Sequence, residues 1–112
     1  MSTADDRLTV IQNIYEDALN NEPGDLAQAT TPVLVAGVQA NVANARSTYY
    51  AAAAAALTNA APGVETAYAT AQAALAVVTA ARTASESITT LLGKLNTATN
   101  AGTSLLGAAK SV

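Results

Sequence analysis

Residues 67–98 read AYATAQAALAVVTAARTASESITTLLGKLNTA, and their periodicity decides the fold. Apolar or small residues recur at Ala67, Thr70, Ala74, Val77, Ala81, Ala84, Ile88, Leu91, Leu95 and Ala98, in alternating steps of three and four. That alternation keeps one narrow stripe turned toward the same neighbour, so the stretch predicts a long helix packed lengthwise on a partner. The spacing continues through Gly102, Leu105, Ala109 and Val112. Packing of this kind specifies an architecture; it names no substrate.

Upstream, Ala60-Ala61-Pro62-Gly63 breaks the pattern, which starts this helix at residue 64. A second helix is predicted over 32–59. Thr31 caps it, Pro32 at the first position loses no hydrogen bond, and Val35, Val38, Val42, Ala45, Tyr49, Ala52 and Ala56 form its stripe. The connection at 60–63 is short enough to make the two helices an antiparallel hairpin, with alanines facing at the tip. A first helix over 3–20 starts at Ser2 or Thr3 and buries Ala4, Leu8, Ile11, Tyr15 and Ala18. Residues 21–31, with Pro23-Gly24, read as a linker. The expected fold is all-α, one helical domain over 1–112: a short N-terminal helix and a long antiparallel hairpin in a coiled-coil-like three-helix bundle. For 99–112, stripe arithmetic favours continuation of the helix over 64–98. Thr97, Thr99, Asn100 and Gly102 favour a break there and a separate C-terminal segment, and the composition is given the greater weight.

Composition narrows function mainly by exclusion. The chain is 51% hydrophobic over 112 residues, yet much of that is alanine, with no Phe, no Trp, four Tyr and one Met. Alanine removes little apolar surface from water, so the core is thin for its length. Thin cores are reinforced by disulfides, metals or partner chains, and a chain with no Cys and no His is left with partners. The net charge is -3, and Arg7, Arg46, Arg82, Lys94 and Lys110 are too scattered for a nucleic-acid surface. The beginning, MSTADDRL, has no secretory-signal layout. The apolar run Ala51–Leu57 is too short to cross a membrane, so no insertion is expected and the location is expected to be virion or cytoplasm.

Without His and Cys, carboxylates are the remaining catalytic candidates. Asp5-Asp6 and Glu16-Asp17 are helix neighbours that diverge by about 100°, and Glu22 with Asp25 lies in the linker; all read as solvated. No enzyme activity, cofactor or metal is expected. The partner surface is a better candidate. Tyr49 and Tyr50 stand out in a chain poor in aromatics, either as stripe filler or as an anchor for a partner. Between Arg46 and Arg82 the one charge is Glu65, although a solvated helix face normally carries several. A second stripe of Ala71, Leu75, Val78 and Leu92 lies beside the first, and Leu105 and Leu106 add apolar surface near the C-terminus. Other protein subunits, copies of this chain or virion proteins, are the expected partners.

These features suit a non-enzymatic assembly subunit, with packed lattices such as phage virions as the compositional analogue. The alternative is a secreted or surface adaptor. In length and midpoint turn the chain is similar to the WXG100 and PE proteins exported by actinobacterial secretion systems, which implies a helical hairpin. The turn here is Ala61-Pro62-Gly63-Val64 rather than Trp-X-Gly, and Gln72 follows Tyr68 where an acidic residue belongs to the export signal.

Overall fold

Side chains at the helix starts set the frame. Thr3 Oγ1 accepts from the Asp6 amide at 3.1 Å while the Asp6 carboxylate accepts from the Thr3 amide at 2.9 Å, a reciprocal capping box. Thr31 Oγ1 accepts from the Leu34 amide at 3.2 Å with Pro32 beside it. Ser87 Oγ accepts from the Thr90 amide at 3.4 Å. The computed structural model describes residues 1–110, all-α, with α1 (Ala4–Asn20), α2 (Glu22–Gln28), α3 (Pro32–Ala54), α4 (Gly63–Thr83) and α5 (Ile88–Ala109).

The four long helices form a bundle of rhombic section. α1 and α5 meet across the short diagonal, and each also packs on both α3 and α4. α3 and α4 occupy the two far corners. Consecutive long helices alternate in direction: the Arg7–Glu65 and Arg82–Asp17 ion pairs show α1 and α4 parallel. Asn41 paired with Thr99, and Thr48 with Thr103, show α3 and α5 parallel in the opposite sense. The short α2 packs on α3 and on the end of α1.

This arrangement corrects the expected hairpin. α3 and α4 flank the midpoint turn but do not pack as a pair; the packed antiparallel hairpin is α4–α5. The helical-hairpin architecture shared with WXG100 and PE proteins is therefore not the one this chain adopts about that turn. Residues 55–62 cross the end of the bundle along its long diagonal. There Leu57, 2% exposed, plugs the core from below.

The boundaries shift accordingly. The helix expected over 32–59 ends at Ala54, and the linker at 21–31 contains α2. The helix expected over 64–98 is broken at 84–87 and resumes to Ala109, so residues 99–109 of the segment expected to be separate continue α5; Ser111 and Val112 lie outside the described residues. The chain reverses after α4 because Ser85 takes φ 54°, and the Glu86 and Ser85 amides close on the carbonyls of Ala81 and Arg82, both at 3.1 Å. Near residue 100 no break occurs because the hydroxyls that would compete are satisfied in place. Thr97 donates to Gly93 O at 3.0 Å, Thr103 to Thr99 O at 3.1 Å, and Thr99 to the buried Asn41 Oδ1 at 2.7 Å. Gly102 gives Ile11 and Ile14 room to lie against the α5 backbone.

Seven of the ten stripe positions from Ala67 to Ala98 face the interior. Ala67, Ala74, Ala81, Ile88, Leu95, Gly102 and Ala109, spaced by seven, face the interior in both helices. Of the alternate members, Thr70, Val77 and Ala84 are exposed, whereas Leu91, Ala98 and Leu105 in α5 are buried. In α4 the place of the exposed members is taken by Val64, Ala71 and Val78, so two members of the second stripe are buried, while Leu75 and Leu92 are half-buried.

Candidate functional site

Two ion-pair clusters clamp α1 to its parallel neighbour α4. At one end the buried Arg7 donates to Leu57 O at 2.7 Å, Asn59 O at 3.1 Å, Ser2 O at 3.1 Å, Ser2 Oγ at 2.9 Å and Glu65 Oε2 at 3.2 Å. Glu65 also accepts from the Ser2 amide at 2.8 Å and the Ser2 hydroxyl at 2.6 Å. These two Ser2 hydrogen bonds, hydroxyl then amide, hold its carboxyl below the ordinary carboxylate value, with Arg7 adding to them. At the other end Arg82 reaches both Asp17, at 3.1 Å, and Asp25, at 2.8 Å. Burial opposes the Arg82 charge, but the bonds to Asp25 and Asp17 outweigh it and raise its pKa.

The carboxylates expected to be solvated are therefore partly structural. Asp25 is 3% exposed, and Asp17 is largely covered. Sequence spacing could not place Arg82 between them, because the pairs are 65 and 57 residues apart.

Between the clamps, α1 and α4 leave an open groove of about 610 Å³. Its floor is Val10, Leu75, Ala76 and Ala80; Asp6, Thr9, Asn13, Gln72 and Thr79 form the rest of the lining with Tyr68, whose hydroxyl accepts from Gln72 Nε2 at 2.9 Å. The groove exists because the facing residues are small or polar: alanines on α4 and Thr9 and Asn13 on α1 cannot fill the space between helices fixed at both ends.

The partner candidates fall on several sites. Leu75 lines the groove. Val78 and Leu105 are 0% exposed and belong to the chain's own core, which removes them from any partner surface. Leu92 and Leu106 are half-buried against that core, Leu92 lying against Gly37 of α3. Tyr49 stacks on Tyr15 with ring centroids 5.7 Å apart, and Tyr50, 59% exposed, meets Tyr15 edge-on at 6.2 Å. Arg46 donates to the Tyr15 hydroxyl at 3.2 Å over the same cluster. Tyr15, Tyr49 and Tyr50 thus sit at the α1–α3 side, away from Leu75, while Tyr68 lines the groove beside it.

The groove residues of α1, Val10 and Asn13 among them, were missed because Val10 lies one position off the stripe read for that helix. Among the described residues no group of three or more acidic, His or Cys side chains could hold a metal ion, and no helix is long and apolar enough to cross a membrane. Comparison with protein-family models, with curated proteins and with solved structures yields no match.

Proposed function

We infer that the chain is a non-enzymatic assembly subunit that works by packing against other protein chains, as components of a phage virion do. The observation that carries this reading is the α1–α4 groove, clamped at both ends by ion pairs and floored by Val10, Leu75, Ala76 and Ala80. A groove held in shape before its occupant arrives loses little conformational freedom on binding. Its apolar lining along two parallel helices suits the apolar face of a helix from another subunit.

The surface around it agrees. From Thr66 to Ala81 α4 carries no charge, and Ala69, Ala73, Ala76, Val77 and Ala80 are exposed, Val77 at 46%. Such a face is only mildly apolar, so one copy tolerates water while many copies gain by covering it.

The test compares the solution mass of the purified chain with its copy number in the particle from which it is isolated, for the parent and for Ala76→Glu. Ala76 is exposed, so the variant keeps the fold and places a charge on the groove floor. Incorporation in many copies, lost in Ala76→Glu, supports the reading. A parent chain that is monomeric and particle-free in every fraction overturns it.

A further inference from the structure

Ser85 is, among the described residues, the one non-glycine with positive φ, at 54°. It occupies the position just past α4 that glycine normally fills, since a Cβ crowds the left-handed backbone. The whole reversal, Ala84-Ser85-Glu86-Ser87, contains neither Gly nor Pro. Alanine and glutamate rank among the good helix formers and serine is intermediate, so the turn is built from residues that a helix interior also accepts.

Register supplies an independent observation. The column Ala67, Ala74, Ala81, Ile88, Leu95, Gly102, Ala109, half-buried at its first two members and buried from Ala81 on, crosses the turn with its spacing of seven unchanged, while the buried column beside it changes side, from Val64, Ala71 and Val78 in α4 to Leu91, Ala98 and Leu105 in α5. Two helices joined by a turn need no common phase. A single helix running through residues 84–87 needs this one, because only an unbroken period keeps one face on the same neighbour.

We propose that the α4–α5 turn is a hinge, and that two copies of this chain exchange α5 by opening the hairpin into one continuous helix from Gly63 to Ala109. Each α5 then packs on the α1, α3 and α4 of the other copy, against the same residues it meets in its own chain. The two long helices lie antiparallel along the column, and the contacts of the closed form are remade between copies. The difference between the forms is confined to the hinge. Opening relieves the left-handed Ser85 and adds helical hydrogen bonds through residues 84–87. It gives up the Ser85 and Glu86 amide bonds to the Arg82 and Ala81 carbonyls, the Ser87 cap and the Glu86–Lys94 ion pair at 2.6 Å. The Arg82 bonds to Asp17 and Asp25 lie on the α1–α2–α4 side and survive. With those terms opposed, concentration selects the form. The exchange uses the α4–α5 interface and stands apart from the α1–α4 groove.

Spin labels on Thr66→Cys and Gly107→Cys read the state directly, since Thr66 is exposed and Gly107 has open space around it. Both positions lie at the same end of the closed bundle, where Asn59 bonds the Ala109 carbonyl. In the open helix they stand roughly 60 Å apart at 1.5 Å per residue. Labelled chains are refolded with an excess of unlabelled chain, so that intrachain distances alone are measured, alongside sedimentation of the parent, S85A and S85G. S85A should lower the dimer dissociation constant about fivefold and S85G raise it about fivefold, with the long distance confined to the dimer. An S85A chain that keeps its helicity and stays as monomeric as the parent overturns the proposal, as does a dimer showing the short intrachain distance alone. If S85A loses helicity, the parent at its highest soluble concentration decides: a dimer with the long distance supports exchange, and the absence of that distance overturns it.

Discussion

The guanidinium of Arg7 holds the backbone carbonyl of Leu57 at 2.7 Å, joining the first turn of α1 to a loop fifty residues further along the chain. The loop crosses the bundle end between two helix termini. Arg7 grips it from α1, and from α5 the carbonyls of Ala109 and Ala108 accept from the Asn59 amide at 2.9 Å and its side chain at 3.1 Å.

Removing that grip leaves buried carbonyls without donors. Arg7→Met should cost about 3 kcal/mol in denaturant unfolding, because an unpaired buried acceptor forfeits its desolvation energy in full. Glu65→Gln, which keeps the Arg7 bonds to the loop carbonyls, should cost well under half as much. Equal losses in the two variants would place the stabilisation in the ion pair instead.

Glu65 also makes stability depend on pH. Its folded-state pKa lies below the ordinary value of 4.5, so its contribution is complete above 4.5 and is lost as pH falls through the folded-state value. Thermal midpoints measured from neutral pH downward should fall more gently in Glu65→Gln than in the parent over that acidic range. Parallel curves would show that Glu65 is not a source of the acid sensitivity.

Arg82 serves two carboxylates at once, and Asp25 is nearly inaccessible to water. Arg82→Met should therefore destabilise by about 3–5 kcal/mol, the range for stranding one side of a buried ion pair. Arg82→Lys should recover little, since a point charge cannot bridge both groups with paired hydrogen bonds. Adding Asp17→Asn and Asp25→Asn to Arg82→Met should restore a good part of the loss in chemical denaturation. A Lys variant as stable as the parent would contradict the geometric account.

Two of the three glycines of α5 differ from the glycine of α3. Gly93 and Gly107 have nothing within reach of an added Cβ, so Gly93→Ala and Gly107→Ala should each raise stability by about 0.5–1 kcal/mol through the unfolded chain's lost freedom. At Gly37 the same atom would meet Leu92 Cδ2 at 2.6 Å. Gly37→Ala should gain nothing until Leu92→Ala makes room, a coupling that a double-mutant cycle measures directly.

The helical class, the Thr3 and Thr31 caps and the seven-spaced column from Ala67 to Ala109 were legible because each depends on residues within a turn or two of one another. The pairing of helices was not. A short link at Pro62-Gly63 suggests a hairpin, but the Arg7 and Asn59 bonds carry that link across the bundle end, and no local pattern encodes a bond between positions 7 and 57. The turn at Ser85 was hidden for the opposite reason. Its residues carry helix-compatible propensity, while Thr97 to Gly102, which looked like a break, stays helical because Asn41 and the carbonyls four residues back absorb the hydroxyls. Of the candidate surface, Leu75 was visible as an extra apolar position; that α1 would stand opposite it depended on Arg82 finding Asp17.

The loop between α3 and α4 has a consequence for truncation. α1, α3 and α4 precede α5 in the chain, yet the carbonyls that fix Asn59 belong to the last turn of α5. Until that turn is in place the loop is held by the Arg7 bonds to Leu57 O and Asn59 O and by the packing of the Leu57 side chain. Closure of the loop thus waits on residues 108 and 109, and a chain cut before residue 108 keeps three long helices but loses both α5 acceptors of Asn59.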